Sequence, residues 1–131
     1  MIDFEKILIS KETGLQNRIQ AALSQYPKFQ SDIDWKEYEY SKDRFMEFSI
    51  DKLSKSMAYE IELMPKSKAT SRLERWINKF EDDCRFFTNW DLGMDGTSGY
   101  SWIPVTDHTY DCCLIIIDQF KIGIIVMIDE D

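Results

Sequence analysis

Two almost wholly apolar runs near the end of the chain constrain its fold more than any other feature. Residues 112–117 and 122–128 are rich in Ile and Val, and only a short polar-containing segment separates them. Each run is too short to cross a membrane as a helix, which takes about 20 residues. Because β-branched residues favour strands, we expect strands at 111–117 and 121–128, joined by a turn at 118–120. They should form the central pair of a sheet.

Apolar residues at helical spacing predict two helices, at residues 11–26 and 71–88. In the second, Ser71 followed by Glu74 fits a capping box, in which each side chain satisfies the backbone N–H of the other residue. We interpret the aromatic stripe of this helix as core packing against the sheet. The apolar positions that define the second helix are Leu73, Trp76, Ile77, Phe80, Cys84 and Phe87.

Between the two helices, apolar residues alternate with polar or small ones, as they do in strands with one solvated face. This pattern predicts a three-strand antiparallel meander over 38–63, with its first turn at 41–44. A further strand is expected at 100–105, whereas 2–9 is ambiguous between strand and helical turn. The expected architecture is one α+β domain, 1–131, with the order α-β-β-β-α-β-β-β. An antiparallel sheet of about six strands would be covered on one face by both helices; the alternative is a strongly curved sheet partly closed around the second helix.

The composition indicates a globular protein of the reducing cytoplasm. The chain carries 18 aromatic residues (4 Trp, 6 Tyr and 8 Phe) and a net charge of −8, which does not fit a disordered acidic segment. The N-terminal segment has charged residues where a secretory signal needs an unbroken apolar run. The three cysteines include no CxxC pair, and there is one histidine, so we expect no disulfide framework, no zinc site and no cofactor.

The negative charge is concentrated in the last third of the chain. Residues 90–131 contain eight acids and one base, and large aromatic residues lie among the acids. Charges beside large aromatics are typical of protein interfaces, and a negative field attracts a basic protein and repels nucleic acid. We therefore predict a basic protein partner and no direct nucleic-acid binding. The predicted partner-binding residues are Trp90, Asp91, Asp95, Tyr100, Trp102, Asp107 and Asp111.

Catalytic signatures are sparse. The chain lacks the common nucleotide-binding, hydrolase and metalloprotease motifs. The loop that begins at Asp91 fails the calcium-loop pattern, because Gly93 and Trp102 occupy positions that need oxygen ligands. Two carboxylates, Glu60 and Glu62, lack the lysine two residues later that a metal-dependent nuclease would need. His108 is the remaining candidate general base, and we expect no catalytic residue and no enzyme activity.

The chain ending at 121–131, a strand that finishes in an acidic cap, together with the segment Trp90-Asp91-Leu92-Gly93, resembles bacterial immunity proteins of the polymorphic-toxin and contact-dependent growth inhibition type. The resemblance covers about the last third of the chain. It implies a protein that binds a cognate toxin, often a basic nuclease, and occludes its active site. The alternatives are a phage-type inhibitor or DNA mimic, or a small enzyme that uses His108.

Overall fold

The computed structural model describes residues 1–30, 32–93 and 101–130. Helices and antiparallel strands occur together in this part of the chain, which confirms the α+β class. In chain order the elements are β1 (Ile2–Ile9), α1 (Leu15–Leu23), a short 3-10 helix (Trp35–Tyr38), β2 (Glu39–Tyr40), α2 (Lys42–Ser54), α3 (Lys66–Ile77), β3 (Arg85–Thr88), β4 (Trp90–Asp91), β5 (Ser101–Trp102), β6 (Tyr110–Ile117) and β7 (Lys121–Asp129).

Five strands form one antiparallel sheet in the order β1-β7-β6-β3-β2, while β4 and β5 pair separately. The two apolar runs are the central neighbours β6 and β7, as predicted, and their register joins Ile117 to Ile122 across the turn. Asp118 closes that turn by accepting hydrogen bonds from the backbone N–H groups of Phe120 (2.8 Å) and Lys121 (2.6 Å). The ambiguous opening segment is strand β1. Because β1 and β2 are both edges, the described sheet is open and is not closed around a helix.

Helices cover both faces of the sheet, so the expectation that one face carries both helices is wrong. Successive residues of a strand point to opposite faces. Cys112, Leu114 and Ile116 therefore pack with α2 and α3, whereas Cys113 and Ile115 pack in a second cluster with α1. The two clusters make a three-layer arrangement in which β6 and β7 are buried on both sides.

The predicted meander over 38–63 is also wrong, because half of this range is helix α2. Ser41, expected in a turn, is the N-cap: its hydroxyl accepts a hydrogen bond from the N–H of Arg44 at 3.3 Å. The buried residues Phe45, Phe48 and Leu53 lie on one helical face. Over such a short range, apolar residues spaced two and three apart fit both a strand and a helix. The helix forms here because Ser41 caps it and its apolar face packs against α3.

Helix α3 is shorter and begins earlier than the predicted helix at 71–88. It starts at Lys66 after Pro65, so Ser71 lies inside the helix and forms no capping box. Asn78 is its C-cap, and the predicted last turn is strand β3. The first helix lies inside its predicted range of 11–26 but is shorter at both ends.

Helix α3 and the segment after it approach strand β7 closely at Gly123. A Cβ atom added there would lie 2.5 Å from Cζ of Phe80 and 3.0 Å from Nε1 of Trp76. Phe80 and Trp76 meet edge to face, with ring centroids 6.2 Å apart. Gly123 therefore leaves the space in which these two rings lie against the sheet.

Candidate functional site

Two of the predicted partner-binding residues belong to an aromatic stack. Trp90 and Trp102 pair across β4 and β5, with ring centroids 4.5 Å apart, and Trp102 stacks in turn on Tyr110 at 5.5 Å. The ammonium of Lys52 from α2 lies 4.3 Å from the centroid of the Trp90 ring. Trp90 is buried and Trp102 half-buried. The stack attaches the β4–β5 pair to the core, so Trp90 is not accessible to a partner in this conformation.

Asp111, a third predicted contact, is fully buried. Its carboxylate accepts hydrogen bonds from the backbone N–H groups of Val105 and Thr106, from the Thr106 hydroxyl at 2.8 Å, and from the Asn89 amide at 2.9 Å. Asn89 also accepts a hydrogen bond from the N–H of Cys113 at 2.7 Å. Buried charges need several such partners. Asp111 therefore positions the chain before β6 and does not present its charge at the surface.

The remaining predicted acids with described positions are exposed. Asp91 accepts a hydrogen bond from the N–H of Gly93 at 2.9 Å, and Asp107 accepts one from the Gln30 side chain at 2.7 Å. Asp91 and Asp107 thus present negative charge to solvent. Asp95 and Tyr100 lie outside the described residues.

His108 contacts Glu130. A general base oriented by the neighbouring carboxylate would instead contact Asp107. Its Nδ1 lies against Oε1 of Glu130, while the Thr109 hydroxyl donates to the other carboxylate oxygen at 2.7 Å. Hydrogen bonds from the Thr109 hydroxyl, from the His108 ring and from the Thr109 N–H lower the pKa of Glu130 below its ordinary value. The arrangement joins the end of β7 to the loop before β6.

The three cysteines are in surroundings that disfavour the reactive thiolate. Burial raises the pKa of Cys112 to about 12 and that of Cys113 well above its usual value, and it also raises the pKa of Cys84. A thiol needs a lowered pKa to act as a nucleophile near neutral pH. None of the three therefore supplies a partner for a catalytic histidine.

A groove with a volume of about 550 Å³ opens between α2, the loop that follows it and the start of α3. Its lining combines three apolar side chains with seven charged ones. Two of its residues, Glu60 and Glu62, are the carboxylates that the sequence suggested only for a metal site. The lining residues are Arg44, Glu47, Phe48, Asp51, Ser54, Lys55, Glu60, Glu62, Met64, Lys66 and Leu92.

Several carboxylates of the groove are not neutralised by neighbouring cations. Asp51 pairs with Lys55 at 3.3 Å, and Arg44 donates to the backbone carbonyls of Leu92 and Gly93. By contrast, three acids make no ion pair with any described residue, and the same holds for two bases, Arg44 and Lys66. The three unpaired acids are Glu47, Glu60 and Glu62. They leave the groove with negative groups free to contact a cation.

The loop between α2 and α3 exposes three large apolar side chains beside this groove. Tyr59 is 61% exposed, Ile61 is 62% exposed and Leu63 is 53% exposed. They alternate with Glu60 and Glu62, which line the groove, so the acids and the apolar residues lie side by side. We call residues 59–63 the apolar–acidic segment. Exposed apolar side chains in such a group mark interaction sites more often than isolated ones do.

Hydrogen bonds to the last strand hold this loop in place. The carboxylate of Asp129 at the end of β7 accepts hydrogen bonds from the Ser56 hydroxyl at 2.5 Å and from the N–H of Ala58 at 3.1 Å. The hydrogen bond from Ser56 is the main cause that lowers the pKa of Asp129. The loop therefore has a fixed position relative to the sheet. The sequence signal for this loop is the alternation of apolar and polar residues at 57–63, a pattern that predicts a strand.

The described residues contain no group of three or more His, Cys, Asp or Glu side chains arranged to hold a metal ion. In the same part of the chain, no helix has the length and apolar character needed to cross a membrane.

No protein family model, no curated protein sequence and no solved structure matches this chain.

Proposed function

We propose that this chain is a cytoplasmic binding protein that neutralises a cognate toxin by covering its active site, and that the toxin is a basic nuclease. The observation that carries the proposal is the exposure of Tyr59, Ile61 and Leu63 next to a groove with unpaired carboxylates. Folding leaves these apolar side chains in water although the chain has a well-packed core. A partner that covers them would remove that apolar surface from water.

The charge of the site supports a basic partner. A nuclease must hold a phosphate backbone, so the surface around its active site carries Lys and Arg side chains. The unpaired Glu47, Glu60 and Glu62 offer carboxylates to such side chains. The net charge of −8, together with the exposed Asp91 and Asp107, would speed the encounter through long-range attraction. Apolar contacts at the apolar–acidic segment would then determine how long the complex lasts.

A growth-rescue experiment tests this function. The chain is co-expressed with the product of the gene beside its own, and rescue from that product's toxicity is measured. We expect rescue by the wild-type chain and its loss in the triple variant Y59S/I61S/L63S, because truncated anchors raise the dissociation rate. A matched control, I103S/F120S, removes two exposed apolar side chains outside the segment and should still rescue.

The proposal would be wrong if the neighbouring product were not toxic, or if the triple variant rescued growth as well as the wild type. Both variants should keep the melting temperature of the wild type within a few degrees, so that loss of rescue reports binding and not unfolding.

A further inference from the structure

The apolar–acidic segment has the sequence pattern of a strand but almost none of a strand's pairing. Apolar and acidic residues alternate over 59–63, yet the only bridge in this loop joins Lys55 to Glu62. Glu60 ends the extended stretch, because its φ of +54° is in the left-handed region. The strand-like part is therefore the three residues Ile61 to Leu63, which pair on one side only, with the chain around Lys55.

The hydrogen bonds of the loop show which side of this short strand is open. The N–H of Ser56 donates to the carbonyl of Ile61 at 2.8 Å, and the N–H of Leu63 donates to the carbonyl of Ser54 at 2.7 Å. In an antiparallel ladder this pattern makes Lys55 and Glu62 a non-hydrogen-bonded pair. The N–H and C=O of Glu62 therefore point away from Lys55, and no described residue bonds to either group.

We propose that the partner adds an extended segment along this open side, exchanging backbone hydrogen bonds with Glu62. The proposal rests on the proposed function and specifies how the partner binds. In strand addition, main-chain hydrogen bonds align the two chains and alternate side chains provide specificity. Side chains directly opposite each other share a face. The added segment should thus place a basic residue opposite Glu62 at the groove, flanked by apolar residues opposite Ile61 and Leu63.

Charge complementarity identifies the occupant as a basic segment and not as a second copy of this chain. If two copies paired antiparallel along this edge through hydrogen bonds between their Glu62 residues, the two Glu62 side chains would lie directly opposite each other. Like charges directly opposite each other destabilise a strand pair. A lysine or arginine at that position would instead meet carboxylates that lack an ion pair among the described residues.

A short synthetic peptide tests the binding mode without knowledge of the toxin. The probe is fluorescein-labelled acetyl-Thr-Lys-Val-Lys-Val-Lys-Thr-amide, and its control is a peptide of the same composition with the three lysines adjacent. Fluorescence anisotropy should show that the full-length chain binds the alternating peptide more tightly than its isomer. Amide hydrogen exchange should show slower exchange at Glu62 when the alternating peptide is bound.

Two substitutions separate the backbone from the side chain. E62A and E62P both remove the carboxylate, but only proline removes the outward N–H. The internal hydrogen bonds of the loop use Ile61 and Leu63, so either variant leaves them in place. We expect E62A to weaken peptide binding at low salt, and E62P to bind about 2- to 12-fold more weakly than E62A. Melting temperatures should confirm that both variants fold.

The inference is wrong if the alternating peptide does not bind, if its isomer binds equally well, or if E62A and E62P bind alike. These results are distinct from failure of the proposed function. A chain that rescues growth, and loses rescue in Y59S/I61S/L63S, but shows no difference between E62A and E62P, binds its toxin through side chains without strand addition.

Discussion

Strands β6 and β7 and the apolar–acidic segment both have sequence patterns that predict strands, but the two regions differ in burial. The sequences of β6 and β7 are almost wholly apolar, whereas apolar and acidic residues alternate in the segment. The central strands are buried on both faces, whereas Tyr59, Ile61 and Leu63 are more than half exposed. Both regions are rich in residues that favour strands. The difference is that β6 and β7 have partners within the chain and the segment has a single bridge. Apolar residues that folding does not bury are the most direct indication of a binding surface in this protein.

The largest effect should come from removing aromatic rings that cover the central strands. Trp76→Ala or Phe80→Ala should lower the free energy of unfolding by about 3–5 kcal/mol, because each leaves a cavity in the core. Chemical denaturation measures the change. A loss below about 1 kcal/mol, the size of a typical surface substitution, would show that α3 and its following turn are not packed on the sheet as described.

Gly123→Ala adds one methyl group to the buried region at β7 and should destabilise the fold. The new Cβ would collide with Phe80 and Trp76, and overpacking of this kind costs about 1–3 kcal/mol. Denaturation of G123A, F80L and the double variant forms a thermodynamic cycle. The double variant should lose less stability than the sum of the single losses, because Leu vacates the space of the ring. Strict additivity would contradict the close contact.

The carboxylate of Asp118 should stabilise the turn that joins the central strands, and the effect should depend on pH. Burial raises its pKa, but hydrogen bonds from the N–H groups of Lys121, Glu81 and Phe120 outweigh burial, so the pKa is below the ordinary 3.8. A lowered pKa stabilises the fold above pH 3.8, and this stability is lost as the pH falls through the lowered value. Asp118→Asn should cost on the order of 1 kcal/mol at neutral pH. The difference from wild type should shrink below pH 3.8; a constant difference from pH 7 to 2 would contradict this role.

The smallest effect on stability is expected in the apolar–acidic segment. Tyr59→Ser, Ile61→Ser and Leu63→Ser should each change the free energy of unfolding by less than about 0.5 kcal/mol, because these side chains make little contact within the chain. Denaturation under the conditions used for Trp76→Ala gives a direct comparison. A loss above about 2 kcal/mol at any of the three would show that the segment serves folding.

The sequence predicted those parts of the fold in which the spacing of apolar residues fits only one type of secondary structure. Long β-branched runs predicted β6 and β7, and apolar residues at helical spacing predicted a helix at 11–26, the range that contains α1. The prediction failed at 38–63. There the three-residue spacing of Phe45 and Phe48 supports a helix, whereas the two-residue spacing of Met46, Phe48 and Ile50 supports a strand. The absence of alternation in β6 and β7 is typical of strands that are buried on both faces, but the architecture predicted from the sequence covered only one face of the sheet.

The candidate site was less predictable than the fold. Composition identified acids and aromatics in the last third of the chain, but it does not distinguish an exposed Asp91 from a buried Asp111. That distinction depends on the backbone N–H groups of Val105 and Thr106, which converge on Asp111 only in the folded chain. The groove likewise combines α2 with the start of α3, and its acids do not form a run in the sequence.

The attachment of Ser56 and Ala58 to Asp129 has a consequence for the kinetics of binding. Because the loop is already fixed to the end of β7, a partner meets a preorganised surface and little conformational entropy remains to be lost at the apolar–acidic segment. Association should then proceed in one step, with an observed rate that rises linearly with partner concentration and does not level off at the rate of a slow rearrangement.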